Sequence, residues 1–150
     1  MEEILHRETI GWLATVAEGR PYAVPLNYAY IDGKIYFHCA LEGRKLDAVR
    51  ANPEVCLAVG RQEGEIRRHR GSGVCHPDNE SVLCFGRARI IEELAEKAAA
   101  LNAFNRAFEP KAEDLPDKAP QRCAVVEITL TEMTGRRERA GKRTLWRHVF

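Results

Sequence analysis

Short apolar runs of strand character recur along this chain, separated by clusters of breaker and polar residues. Trp12–Val16 (WLATV), Tyr22–Tyr30, Lys34–Cys39, Val55–Val59, Ser81–Ile91 (SVLCFGRARII) and Cys123–Leu130 (CAVVEITL) read as strands. Glu18-Gly19-Arg20-Pro21 is a turn, and Asp32-Gly33 inside Ile31–Lys34 is a strong hairpin signal that pairs Tyr22–Tyr30 with Lys34–Cys39. Pro25 cannot donate to a ladder, so its strand is expected at an edge, at a bulge or against a ligand. Gly86 marks a bulge or a close approach of backbones.

Helical periodicity appears in three places: Glu2–Thr9, Arg44–Ala51 and the alanine-rich Glu92–Phe108. Arg61–Asn79 carries charges, glycines and prolines without an apolar period and reads as an exposed loop. Pro110, Pro116 and Pro120 punctuate a linker. Thr134–Phe150 reads as a basic tail whose Trp146 and Phe150 dock on the barrel or on a partner subunit. Six or so short strands with two or three helices predict a mainly β fold, an antiparallel β-barrel with helical additions. The whole chain, 1–150, makes one domain. No βαβα alternation, GxGxxG or GxxxxGK[ST] is present, which disfavours a doubly wound nucleotide fold.

Charge changes the picture little. The net charge of +1 argues against a general polyanion binder. The basic stretch Arg61–Arg70 interleaves glutamates and lacks aromatic stacking platforms, so nucleic acid is not an expected partner. No apolar run approaches the ~20 residues that span a bilayer, and the N-terminus lacks the order of a secretory signal. The five cysteines are odd in number and show no CxxC spacing, which predicts free thiols in a reducing cytoplasm. Cys75-His76 and His69 form a poor metal signature, and no metal is expected.

The candidate chemistry gathers in Tyr36–Val59 (YFHCALEGRKLDAVRANPEVCLAV). Arg44 and Lys45 open a helix just after Gly43, where positive charge opposes the helix dipole unless an anion is present. One reading is a solvated pair held by Glu42 or Asp47; the other is a phosphate receptor. Along Tyr22, Ala23, Val24, Pro25, Leu26 and Asn27, backbone groups freed around the proline offer edges to a planar heteroaromatic ligand. His38 is either a hydrogen-bonded structural residue or a proton carrier.

These residues together resemble the FMN-binding split-barrel superfamily typified by pyridoxamine 5′-phosphate oxidase, and within it the small branch of 5-nitroimidazole resistance proteins. The resemblance runs from GWLATVAEGRPYAVPLNYAYIDGKIYFHCALEGRKLDAVRANPEVCLAV through SVLCFGRARIIEELAEK to EITLTEMTG. It implies a split antiparallel β-barrel, FMN as cofactor, and a homodimer with the cofactor site at the subunit interface. Tyr22–Asn27 would run along the flavin ring and ribityl chain, His38 and Cys39 would lie beside the cofactor, and Arg44 and Lys45 would hold its phosphate. His38 would orient a small-molecule substrate or pass a proton, and Ser81 would reach in from the partner subunit. The implied activity is a flavin reductase or nitroreductase; relatives using the deazaflavin F420 or haem, or binding FMN without turnover, are the alternatives. Tyr22, Asn27, Cys39 and Ser81 depart from pyridoxamine phosphate oxidases proper, which points away from vitamin B6 oxidation.

Overall fold

The computed structural model describes residues 1–68 and 75–150; within that range the side chains of 65–68 and 75–77 are left aside. The elements run α1 (Glu2–Arg7), β1 (Ile10–Ala17), β2 (Arg20–Asn27), β3 (Ala29–Ile31), β4 (Lys34–Cys39), α2 (Arg44–Ala51), β5 (Glu54–Arg68), β6 (Cys75–Ile91), α3 (Leu94–Phe108), β7 (Ala124–Arg139) and β8 (Lys142–Val149). A single 3-10 turn, Ala119–Gln121, lies in the proline-punctuated linker.

Hydrogen-bonded neighbours follow the order β2-β1-β5-β6-β7-β4-β3, with β8 added to β7, and every pairing is antiparallel. The two ends of that order, β2 and β3, are separated by Tyr28 alone, so the sheet curls round on itself. This is the antiparallel barrel anticipated from the pattern, in the split form that the resemblance implies. Leu13, Ile35, Phe37, Leu57, Val82, Val126 and Ile128 fill its interior at 0 % exposure. Alternate residues of each strand point inward, as a two-residue period on a curved sheet requires.

Local chemistry explains the sharp points. Asp32 and Gly33 both take positive φ (49° and 78°), the geometry of a two-residue hairpin that matches strand twist. β2 pairs with β1 only, so Pro25 sits on an edge strand as its missing N–H requires. Opposite Gly86 the ladder slips: Phe85 pairs with Glu132 but Gly86 pairs with Leu130. A Cβ at Gly86 would stand 2.3 Å from the Thr129 carbonyl oxygen, so the residue is a point of close backbone approach.

Three expectations are corrected. The Asp32-Gly33 hairpin pairs only Ala29–Ile31 with β4, while Tyr22–Asn27 belongs to β2 and pairs with β1. Much of Arg61–Asn79 is strand: Arg61 pairs with Glu80, Gln62 with Asn79 and Glu63 with Asp78, and after an irregularity Arg67 pairs with His76. His69–Val74 lie outside the described residues. The tail Thr134–Phe150 is likewise strand, β7 turning into β8 at Ala140-Gly141. Trp146 is 38 % and Phe150 53 % exposed. Trp146 lies beneath the Arg137 guanidinium at 5.5 Å, and Phe150 meets His148 edge-on. Every residue of β8 is exposed and the described part of this ribbon is knit by cross-strand ions (Arg147 with Glu132, Arg139 with Glu63), so no apolar alternation records it.

Candidate functional site

Helix α2 stops where Asn52 and Pro53 follow it, and its Leu46, Ala48 and Val49 are buried. Asn52 donates to the Val16 carbonyl at 3.0 Å, tying the helix end to β1. The helix begins at Gly43, whose φ of 130° is a conformation side-chain-bearing residues rarely adopt, and no side chain caps it. Gly43 therefore presents Arg44 and Lys45 at an uncapped helix start, where unsatisfied N–H groups favour an anion.

The two cations diverge. The Arg44 guanidinium stacks on the Tyr22 ring of β2 at 4.5 Å, while the Lys45 ammonium lies 5.6 Å from the Phe37 ring of β4. Lys45 is also close enough to Cys39 to act on its thiol: burial pushes that thiol's pKa up and the lysine charge partly offsets it. Neither cation is held by Glu42 or Asp47; Asp47 pairs instead with Arg50 at 3.3 Å. Among the arginines whose side chains are described, Arg20, Arg44 and Arg122 are the ones without a carboxylate partner. Two of these three flank one cavity.

Two cavities meet at Tyr22. The larger, about 540 Å³, lies on the outer face of β2, β1, β5 and β6, with Ala14, Ala23, Cys56 and Phe85 among its apolar walls. The smaller, about 370 Å³, lies between the β1–β2 turn and α2, bounded by Arg20, Tyr22 and Arg44. Glu18 and Asp47 also line the smaller cavity, but neither pairs with Arg20 or Arg44, so an apolar groove lies beside a pocket with two free guanidinium groups.

The remaining sequence candidates fall as follows. Ala23 lines the groove, whereas Val24 and Leu26 pack against the barrel core. Asn27 donates its amide to the Thr9 carbonyl at 3.0 Å, holding the chain that enters β1. His38 is exposed and meets Phe104 of α3 edge-on at 5.0 Å; it lines neither cavity. Ser81 sits on the outward side of β6, across from Gly60 and Arg136, and lines neither cavity. Among the described residues no three His, Cys, Asp or Glu side chains group as metal ligands, and no helix is long and apolar enough to cross a membrane.

Sequence reasoning missed Arg20, Phe85 and Cys56 as cavity residues. Arg20 was readable as a turn cation two positions before Tyr22, hence on the same side of the strand. Phe85 and Cys56 become neighbours only through the β5–β6 register.

Comparison with known proteins follows this geometry. The sequence model of the family described as pyridoxamine 5′-phosphate oxidase matches residues 1–137. Among solved structures, the chain is similar to a protein from Bacteroides thetaiotaomicron described as a 5-nitroimidazole antibiotic resistance protein (27 % identity, TM-score 0.76, covering 89 % of this chain and 80 % of that one). It is similar to a FAD-binding protein from Mesorhizobium loti (25 % identity, TM-score 0.67, covering 92 % and 90 %). It shares its fold with the FAD and heme binding protein from Mycobacterium smegmatis (15 % identity, TM-score 0.81, covering 98 % and 80 %). No curated protein matches.

Proposed function

Because the chain belongs to the pyridoxamine 5′-phosphate oxidase family, we propose that it binds the FMN portion of a flavin and works as an oxidoreductase of the flavin-reductase or nitroreductase type. The observation that carries this reading is Arg44: it has no carboxylate partner, it lies over the ring of Tyr22, and it lines the smaller cavity, which shares Tyr22 with the apolar groove. The residues fit the group. Ala14, Ala23 and Phe85 offer an apolar surface to an isoalloxazine ring, and the uncapped start of α2 with Arg44 and Lys45 offers charge to the phosphate. A bound flavin supplies the redox chemistry; the protein's part is to hold it and shape the space above its ring. The likeness to the Bacteroides protein supports a nitro compound as the class of substrate.

The same reading pairs two copies of the chain. On the outward face, Pro25, Trp12, Ala58, Leu83 and Thr134 lie side by side across five strands, and Ala23, Ala14, Cys56 and Phe85 form the next row. Ile10, Trp12, Val16, Leu83 and Phe85 are each at least 38 % exposed. A contiguous apolar face of this kind is an association surface, and a second copy covers it. Pairing would bring Ser81 of one copy towards the groove of the other and bury the ring. His38, on the α3 side of β4, acts on substrate where the partner brings it to that side.

The test is the visible spectrum of the purified protein together with its mass in solution. Two broad flavin bands and a dimer mass are expected. A protein that stays colourless after soaking in excess FMN and FAD, or one showing a haem band alone, overturns the reading.

A further inference from the structure

Both methionines of this chain, Met1 and Met133, come to one place. With Glu2, Glu3 and His148 they line a cavity of about 330 Å³, where the start of α1 lies against the β7–β8 hairpin. Met133 stands directly across the ladder from His148, and Gly135 stands across from Trp146. Thr134, between Met133 and Gly135, lies in the outward row with Leu83. Strand alternation therefore turns Met133 and His148 to the opposite side, where α1 begins. Gly135 makes room for the other thioether: a Cβ there would stand 2.7 Å from Met1 Cγ and 2.9 Å from Met1 Sδ. Met133 is 2 % exposed, and Met1 packs on the same core. Among the described residues His148 makes no hydrogen bond or ion pair; its ring meets Phe150 edge-on at 4.5 Å.

We propose that this cavity binds a soft monovalent metal ion, copper(I), through the thioethers of Met1 and Met133 and the imidazole of His148. Thioether sulfur selects copper(I) over harder ions such as magnesium and calcium, which take oxygen ligands, and imidazole suits copper as well. Glu2, Glu3 and His148 do not group as a metal site by themselves, so the selectivity lies with the two sulfurs. The carboxylates put negative charge in the cavity wall, which offsets the charge of the cation. His148 is exposed, so the ion has a way in from solvent. Once bound, it joins three elements: the residue that opens α1, β7 and β8. The cavity shares no lining residue with the apolar groove or the cationic pocket, so the proposal stands apart from the flavin reading.

The experiment is an anaerobic titration of the full chain, carrying carbon-13 in its methionine methyl groups, with copper(I) and with silver(I) as a redox-stable probe. The chain has two methionines, so the spectrum holds two methyl signals and both report on this cavity. Expected is a shift of both, complete at one equivalent of either ion, with a rise in melting temperature. Zinc(II) should leave both signals in place. Met133→Leu keeps the volume of the core, and should lower copper(I) affinity more than ~10-fold in competition with a chromophoric chelator. His148→Ala should do the same, as should Gly135→Ala, whose methyl takes the space of the Met1 sulfur. If a variant fails to fold, the wild-type spectrum decides alone. No shift, or a shift of one signal only, overturns the proposal. So does copper(I) binding that survives Met133→Leu and His148→Ala unchanged, because the ion then sits on the free thiols.

Discussion

The guanidinium carbon of Arg44 lies over the Tyr22 ring, 4.5 Å from its centre. Helix α2 and edge strand β2 are thereby joined at the seam between the two cavities. A cation on an aromatic face is attracted to the ring and stays available to an anion. Tyr22 thus fixes the arginine's position without consuming its charge.

Arg44→Ala and Lys45→Ala should each weaken flavin binding by roughly 1.5–3 kcal/mol, the size of a lost charge-assisted hydrogen bond. Equilibrium titration with FMN checks this. Unchanged affinity in both variants would remove the phosphate assignment.

Glu127 is 4 % exposed and accepts from Lys34 at 3.0 Å, Tyr36 at 2.7 Å and Arg89 at 2.8 Å. Burial alone would raise its pKa, but these donors, Arg89 foremost, outweigh it and hold the carboxyl at about 2. A carboxyl depressed in the fold contributes stability above its unfolded pKa and loses it as pH falls through the folded value. That contribution should be complete at neutral pH and fade from about pH 4.5 down to about pH 2. Glu127→Ala should cost about 1–3 kcal/mol at pH 7, because Lys34 and Arg89 are 40 % and 48 % exposed and can rehydrate. Urea melts at pH 7 and pH 3 would show the wild type and variant converging in acid; parallel curves would refute the assignment.

Gly86→Ala places a methyl 2.3 Å from the Thr129 carbonyl oxygen and 3.0 Å from Ile128. The obstacle is backbone within a paired ladder, so relief requires the strands to part. A loss of roughly 1–3 kcal/mol is expected by thermal melting, the usual cost of overpacking.

Phe85→Asp and Trp12→Glu put charge into the outward apolar rows while the barrel interior is untouched. If a second copy covers that face, both should shift the mass in solution from dimer to monomer with little change in far-ultraviolet circular dichroism. A wild type already monomeric at micromolar concentration would contradict the paired arrangement.

Ala140 turns β7 into β8 with a φ of 50°, a region that disfavours residues bearing a Cβ. Its N–H donates to the Asp78 carboxylate at 2.8 Å, which helps hold the turn. Ala140→Asn keeps that bond and suits the turn type, so it should raise stability by about 0.5–1 kcal/mol in a thermal melt. No gain would mean that the strain is relieved elsewhere in the ribbon.

How much of this was legible varies with the physics of each segment. β4 and α2 were readable to the residue, because Asp32-Gly33 fixes the register at one end and Asn52-Pro53 stops the helix at the other. The pattern gives β5, β6 and β7 only in part and β8 not at all. Beyond the barrel both their faces meet water, and charge pairs such as Arg147 with Glu132 replace the apolar alternation that reveals a strand. The same holds for the site: Arg44 and Lys45 announce themselves by sitting at an uncapped helix start, whereas Arg20 looks like any turn residue until α2 is laid against it.

Sequence alone determined the local choices in this protein: where strands alternate, where Gly43 lets a helix begin, and which residues carry charge next to it. These depend on backbone preferences and on neighbours a few positions away. Only the tertiary structure decided that Arg44 turns towards Tyr22 while Lys45 turns towards Phe37, that His38 faces α3, and that Arg20 and Arg44 border one cavity. Those relations join segments far apart in the chain, and they come from the register of antiparallel strands and the packing of α2 on the barrel.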